Sequence, residues 1–208
     1  MSLTVNDKGG GSDFELLEAG THAAVCTMLV DIGPQETAWG EKDKIKLRFE
    51  VPAERASWKD KDGNEHEGPM VIWGTYTASL NEKATLRQHL EAWRGVSFTE
   101  QELMGFHLKN ILGKPCMISV IHKESGGKTY ANISSIGKMP KGMEPPKPEG
   151  ELICFDFDQH TQADLDKLPE WLQKRIADGK ALLDKQKGRV TETKPTDEDG
   201  FNNDDIPF

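Results

Sequence analysis

Four cationic side chains recur at every second residue of one segment: Lys42, Lys44, Lys46 and Arg48. From residue 45 to residue 51, the alternate positions are apolar: Ile45, Leu47, Phe49 and Val51. Because successive side chains of a strand point to opposite faces, the segment predicts a strand with one apolar and one cationic face. The four residues, named the cation row here, would be spaced about 6.6 Å apart, twice the strand rise of about 3.3 Å.

A cation row of this spacing can follow the phosphates of an extended single strand of nucleic acid. The alternative is an ordinary solvated outer face, on which Lys and Arg are common. No carboxylate stands among the four positions, and this favours binding. Two further cations, Lys123 and Lys128, flank a predicted hairpin tip.

Aromatic residues are placed where a nucleic-acid strand could reach them. Trp39 lies in a loop without apolar neighbours, and Trp58 lies beside two lysines on a polar excursion between residues 52 and 68. Trp73 and Tyr76 have opposite strand parity, so unless Gly74 marks a bulge only one can face outward, and we expect Trp73 to do so. A base stacked on such a ring gains about 1–3 kcal/mol. The alternative for Trp58 is that it folds back onto the body.

The candidate binding residues are therefore Trp39, Lys42, Lys44, Lys46, Arg48, Trp58, Trp73, Lys123, Lys128 and Tyr130.

The last five residues, Asp204, Asp205, Ile206, Pro207 and Phe208, form a different kind of candidate site. Pro207 favours an extended tip, and Phe208 adds a ring and the α-carboxylate. Such a tip is suited to an apolar pocket rimmed by basic residues of a partner. The residues before it have too little apolar surface to fold, so we expect a disordered tether. The alternative is a solvated acidic tail without a partner.

Motifs for catalysis and metal binding are missing from the sequence. There is no Cys-x-x-Cys, His-x-x-x-His, Walker A or Gly-x-Ser-x-Gly pattern. Asp156 and Asp158 resemble the carboxylate pair of a nuclease, but no catalytic lysine lies near them, and such acids are usually at the surface. We therefore expect no enzyme, no metal and no cofactor. Three widely spaced cysteines predict free thiols in a reducing cytoplasm.

The net charge of −9 is concentrated at the ends of the chain. Residues 20–140 carry 15 cations and 15 carboxylates, whereas residues 192–208 carry one cation and six carboxylates. A neutral body can bind nucleic acid if its cations gather on one face. No apolar run of 18 residues exists, so we expect no membrane contact.

The order of the predicted elements indicates how these side chains are positioned. Strands are predicted at residues 20–32, 42–51, 70–77, 115–122 and 130–136. Between the third and fourth, we expect a helix that a capping box at Ser79 opens and Gly95 ends, then a short helix capped by Thr99. This order is typical of the OB-fold, a five-stranded barrel that binds nucleic acid on strands 2 and 3 and the adjoining loops.

The chain is predicted to have four parts. These are a flexible leader (1–19), an OB-fold domain (20–140), a linker with an edge strand and an amphipathic helical extension (141–187), and a disordered acidic tail (188–208). The extension has an apolar pattern that Pro169 interrupts. It could dock on the barrel or form a homodimer, and the sequence leaves both open.

Several short runs resemble a family of bacteriophage and prophage single-stranded-DNA-binding proteins. They are YTASLNEK (76–83), LEAWRG (90–95), FT (98–99), LGKPC (112–116) and YANI (130–133). The last five residues resemble the acidic tip that bacterial single-stranded-DNA-binding proteins dock on replication and repair partners. These resemblances imply an OB-fold protein of the bacterial host cytoplasm.

The function that follows is sequence-tolerant binding and protection of single-stranded DNA in phage replication or recombination. The tip would recruit host or phage replication and recombination proteins. Four phosphate contacts predict a slope of log K against log salt of about −3. One alternative is a recombination adaptor or strand-annealing protein that acts mainly through protein contacts. Another is a phosphoesterase built on the same barrel.

Overall fold

Five long antiparallel strands form one curled sheet in the computed structural model, which describes residues 15–59 and 62–192, with side chains up to residue 186. The strands are β1 (Gly20–Thr37), β2 (Gly40–Lys59), β3 (Glu65–Thr77), β4 (Pro115–Ser125), β5 (Lys128–Gly137) and a short β6 (Ile153–Phe155). The order is β3-β2-β1-β4-β5, and β6 pairs in parallel with β1. The two end strands, β3 and β5, bring Cα atoms within 8 Å of each other, so the sheet curls around its inner face. The predicted mainly-β class is confirmed.

Three helices lie between β3 and β4, where the sequence predicts two. They are α1 (Thr85–Arg94), α2 (Glu100–Met104) and a 3-10 helix (Leu108–Ile111). Leu86, Leu90 and Trp93 form the buried stripe of α1, and Gly95 ends it with a φ of 71°. The capping box at Thr99 is also present.

The capping box predicted at Ser79 is wrong. Helix α1 begins at Thr85, and its N-cap, Ala84, makes no side-chain cap. The Ser79 hydroxyl instead accepts the backbone N–H of Asn81 at 3.1 Å. A serine that satisfies a local turn competes with its use as a helix cap, and here the turn prevails.

Strands β1 and β2 are longer than predicted. The first strand is predicted to end at residue 32. Residues 33–37 instead continue β1 after a register shift between Asp31 and Pro34. Gly33 takes a φ of +65° there, and a Cβ on it would lie 2.5 Å from the Phe157 ring. At the far end, β2 and β3 stay paired as far as Lys59 and Glu65. The polar excursion is therefore a long hairpin arm.

Two hydrophobic cores share β1. The inner core lies between the curled sheet and α1, and its members include Phe49, Leu47 and Leu90. Leu17 also belongs to it, so the residues just before β1 pack on the body. The second core lies on the outer face of the sheet. It contains Met28, Val30, Ile32, Phe155, Phe157, Leu168, Leu172 and Ile176.

The second core is covered by β6, α3 (Gln162–Asp166) and α4 (Glu170–Glu192), named the C-terminal extension here. The buried side chain of Gln35 donates to the carbonyl of Arg175 at 2.9 Å and so ties β1 to α4. A Cβ on Gly179 would lie 2.7 Å from the carbonyl oxygen of Ile32, so α4 needs a glycine at this crossing. The extension docks within its own chain, which is one of the two predicted arrangements. Homodimer formation stays a prediction.

Replacing Leu172 by alanine tests whether the extension belongs to the folded unit. Leu172 is fully buried in the second core, so Leu172→Ala should lower the free energy of unfolding by about 2–5 kcal/mol in urea titrations. The control is Lys174→Ala, an exposed change on the same helix, which should stay within about 0.5 kcal/mol of the parent. Equal stability of the two variants would show that the extension is not part of the cooperative fold.

Candidate functional site

The cation row lies on the outer face of β2, opposite the inner core. Ile45, Leu47, Phe49 and Val51 are buried on the inner face, as predicted. Lys42 is exposed, while Lys44, Lys46 and Arg48 are half-buried. On β3, Thr77 lies opposite Lys44, Thr75 opposite Lys46 and Trp73 opposite Arg48.

The three lysines of the row stay available for an anion. Lys44 donates to the hydroxyl of Thr77 at 2.8 Å, which leaves its other ammonium hydrogens free. Within the part of the chain that the structure describes, none of Lys42, Lys44 and Lys46 forms an ion pair. Three unpaired ammonium groups along one strand form a cationic strip.

Arg48 does not belong to that strip, contrary to the prediction. Its Nε donates to the hydroxyl of Thr27 at 2.9 Å, and its Nη2 donates to Glu50 Oε1 at 3.2 Å. The side chain of Glu50 is 3% exposed. Glu50 continues the row two residues beyond Arg48, so the cationic face ends in a carboxylate that neutralises its last member. Arg48 therefore has a structural partner instead of a free guanidinium.

The linker explains why a carboxylate is buried at this position. The second carboxylate oxygen of Glu50 accepts the backbone N–H groups of Glu149 and Gly150 at 3.0 and 3.3 Å. A Cβ on Gly150 would lie 2.6 Å from Glu50 Oε1, so any larger residue would have to displace the Glu50 carboxylate. The linker thus crosses β2 at the Arg48–Glu50 pair and leads to the C-terminal extension.

Trp73 faces outward and Tyr76 faces the inner core, as their parity predicts. Tyr76 is buried, and its hydroxyl lies 3.1 Å from His89 Nδ1. The ring of Tyr76 lies across Gly74, and β3 keeps its register with β2 there, so Gly74 marks no bulge. Trp73, however, packs against the second core and meets the Trp171 ring edge-to-face, with centroids 5.1 Å apart. Its predicted role as an open stacking platform is therefore restricted by the extension.

Trp39 is the most exposed large apolar side chain among the described residues, at 88%. It lies in the two-residue turn between β1 and β2, where Thr37 pairs with Gly40. Its backbone N–H donates to the Thr37 hydroxyl at 3.2 Å, which fixes the turn while the indole stays in solvent. An indole held in this way is available for stacking.

Trp58 lies on the β2–β3 arm and is 44% exposed. It neither projects alone nor folds onto the body: it stacks on His66, the residue opposite it on β3, at 5.9 Å between centroids. One edge of its ring covers Gly68, where a Cβ would lie 2.9 Å away. The neighbouring Lys59 forms an ion pair with Glu65 at 3.1 Å, so it is not a free cation.

The β4–β5 hairpin brings its three predicted residues together. Lys123 pairs directly with Tyr130, and Ser125 pairs with Lys128. All three candidates are exposed. An aromatic ring beside an unpaired lysine gives this hairpin the same chemistry as the β1–β2 turn.

The structure adds two residues that the sequence interpretation did not single out, Trp171 and Arg175. Lys46 Nζ lies 5.1 Å from the centroid of the Trp171 ring, and the Arg175 guanidinium is close enough to lower the pKa of the Lys46 ammonium. A sequence signal was present, since Leu168, Leu172 and Ile176 recur at intervals of four. Trp171 and Arg175 immediately precede Leu172 and Ile176 and are also four residues apart, so they lie along one flank of the buried stripe.

Two further sets of residues singled out in the sequence are the C-terminal tip and the acids Asp156 and Asp158. Residues Asp204 to Phe208 lie outside the described residues. Asp156 uses its carboxylate in a local turn, where it accepts the backbone N–H groups of Asp158 and Gln159, each at 2.9 Å. Across residues 15–59 and 62–192, no group of three or more His, Cys, Asp or Glu side chains is arranged to hold a metal ion.

Comparison of the sequence with models of protein families and with curated proteins finds no match. The resemblance to phage single-stranded-DNA-binding proteins therefore stays a prediction. In the described segments no helix has the length and apolar character needed to cross a membrane.

Replacing Glu50 by alanine should destabilise the protein, because Arg48 and two backbone N–H groups lose their acceptor. Removing one partner of a buried pair costs about 3–5 kcal/mol, measured as the free energy of unfolding. Glu36→Ala removes an exposed carboxylate from the neighbouring strand and serves as the control, with an expected change within about 0.5 kcal/mol. A loss below about 1 kcal/mol for Glu50→Ala would contradict the role of this pair.

Proposed function

We propose that the protein binds single-stranded DNA with little sequence preference, on an OB-fold. The observation that carries this proposal is the strip of three unpaired lysines on β2, which leads away from an exposed tryptophan. Phosphates are common to every nucleotide, and every base has a face that can stack on an aromatic ring. A site built from these two kinds of contact tolerates any sequence.

The strand order supports the choice of an OB-fold. β1, β2 and β3 form a meander, β4 returns to the other side of β1, and helices separate β3 from β4. β5 comes close to β3, which is the approach that closes such a barrel. OB-folds bind oligonucleotides across strands 2 and 3 and in the loops that join strands 1–2 and 4–5.

The proposed path of the DNA follows from where the free groups lie. It begins at the Trp39 turn, runs along Lys42, Lys44 and Lys46, and is flanked by the β4–β5 hairpin with Lys123, Lys128 and Tyr130. Arg48 is excluded by its pair with Glu50. The three lysines alone predict a salt slope of about −2, instead of the −3 expected for four cations.

The C-terminal tip gives the proposal its second part, recruitment of replication and recombination proteins of the host or phage. Phe208 would fill an apolar pocket, its carboxylate would meet an Arg or Lys, and Asp204 and Asp205 would contact basic residues at the rim. This part rests on the sequence alone. It fits a protein that holds DNA in one place and a partner in another.

One observation favours the second candidate function, a recombination adaptor or strand-annealing protein. The linker crosses β2 at Glu50, and α4 lies beside Lys46 and reaches Glu41, to whose carboxylate Gln186 donates, so the open strip is short. A short strip predicts weak DNA affinity, which an adaptor tolerates better than a protector of single strands. Accelerated pairing of two complementary oligonucleotides would favour this candidate, and unchanged pairing would favour protection.

Titration of a labelled oligo-dT at several salt concentrations tests the DNA-binding proposal. The parent should show a slope of about −2 or steeper in log K against log salt, and Lys42→Gln, Lys44→Gln and Lys46→Gln combined should lower its magnitude by about 2. The control combines Lys167→Gln, Lys174→Gln and Lys180→Gln, which remove equal charge from the extension. Salt-insensitive binding, or equal competition by duplex DNA, would refute the proposal.

A peptide of residues 200–208 tests the recruitment proposal. It should displace the tip of a bacterial single-stranded-DNA-binding protein from a protein that binds that tip, because both present a terminal aromatic carboxylate after two acids. The same peptide without Phe208 is the control and should not compete. Equal competition by the two peptides would show that the ring and its carboxylate are not what the partner recognises.

A further inference from the structure

Two cations, Lys46 on β2 and Arg175 on α4, lie close enough to repel each other, and no described carboxylate forms an ion pair with either. Burial lowers the pKa of the Lys46 ammonium, and the nearby Arg175 guanidinium lowers it further. In the described residues, neither side chain forms an ion pair, and Arg175 engages its neighbours only through its backbone carbonyl. Lys46 is half-buried and Arg175 is exposed, and the repulsion between their like charges favours the binding of an anion beside them.

An aromatic ring lies beside this pair of cations. Trp171 is 41% exposed although it borders the second core, and it meets Trp73 edge-to-face at an interplanar angle of 87°. Lys46 Nζ lies over its ring. A cation–π contact of this kind is worth about 0.5–1 kcal/mol at an exposed site, and it leaves the charge of Arg175 uncompensated.

The backbone that carries Trp171 and Arg175 is fixed in place. Leu172 and Ile176 on the same helix are buried in the second core. The Arg175 carbonyl accepts from Gln35, and Gly179 packs against the carbonyl of Ile32. The helix positions of Trp171 and Arg175 are therefore fixed by packing of α4 on β1, unlike positions on a loop or a free helix.

We propose that Lys46, Arg175 and Trp171 form a nucleotide subsite, in which the two cations hold two successive backbone phosphates of single-stranded DNA and the tryptophan contacts the base between them. The inference rests on the proposed function and extends it to the C-terminal extension. Arg175 supplies a fourth cation for DNA, which Arg48 does not because it is paired with Glu50. The bound strand leaves β2 at Lys46 and continues onto α4.

The subsite changes the number of phosphate contacts on the strip. Lys42, Lys44 and Lys46 predict a salt slope of about −2, and Arg175 steepens it to about −3. The extension then completes the binding surface that it partly covers. Removing it would lose contacts as well as stability.

Titration of the full-length protein with oligo-dT tests the subsite through two variants of α4. Arg175→Gln removes the cation beside Lys46, and Lys174→Gln removes an exposed cation one residue earlier on the same helix. Arg175→Gln should lower the magnitude of the salt slope by about 0.7, whereas Lys174→Gln should leave it unchanged. Equal slopes for the two variants, with normal binding by the parent, would overturn the subsite and leave the proposed function standing. Failure of the parent to bind oligo-dT would overturn both.

Trp171→Ala provides a second readout. Loss of a stacked base should weaken oligo-dT binding by about 5-fold to 150-fold, with the unfolding midpoint measured in parallel to show that the variant is folded. Unchanged affinity of the folded variant would remove the tryptophan from the subsite. If the variant does not fold, the comparison of Arg175→Gln with Lys174→Gln decides the proposal alone.

Discussion

Burial of β1 on both faces is the constraint on which the rest of the structure depends. Residues 24–30 are all buried, with Leu29 in the inner core and Met28 and Val30 in the second core. The inner side gives the curled sheet its interior. The outer side must be covered, because apolar side chains there would otherwise meet water, and the C-terminal extension covers it.

That covering divides the outer face of β2 into two regions. Near Arg48 the linker crosses the strand, and a buried carboxylate neutralises the cation and accepts the linker's backbone N–H groups. Toward the β1–β2 turn, no described element supplies a carboxylate to Lys42, Lys44 or Lys46. The charge that remains open is therefore a strip bounded by Trp39 at one end and by Trp171 and Arg175 at the other. A strip with those ends is suited to a single strand laid along β2.

Local patterns predicted much of this arrangement, because strand parity and helix stripes are short-range. The alternation around Lys44, the opposite facing of Trp73 and Tyr76, and the Thr99 cap all follow from neighbouring residues. The pairing of Arg48 with Glu50 was also readable, since they share parity, yet its burial depends on a linker 100 residues away. The near-continuous apolar run of β1 is typical of a strand covered on both sides, but the sequence does not say what covers it. Trp171 beside Lys46 is a product of that docking, so no local pattern predicts it.

Contact between the lysine strip and single-stranded DNA would be seen residue by residue in lysine-reactivity footprinting. The full-length protein would be treated with a limiting amount of an amine-acylating reagent, with and without saturating oligo-dT, and each lysine quantified by mass spectrometry. Bound oligo-dT should protect Lys42, Lys44 and Lys46, while Lys167 and Lys180 on the extension should react equally in both samples. Protection confined to lysines outside the strip, or equal reactivity of Lys42, Lys44 and Lys46 with and without bound DNA, would contradict this contact.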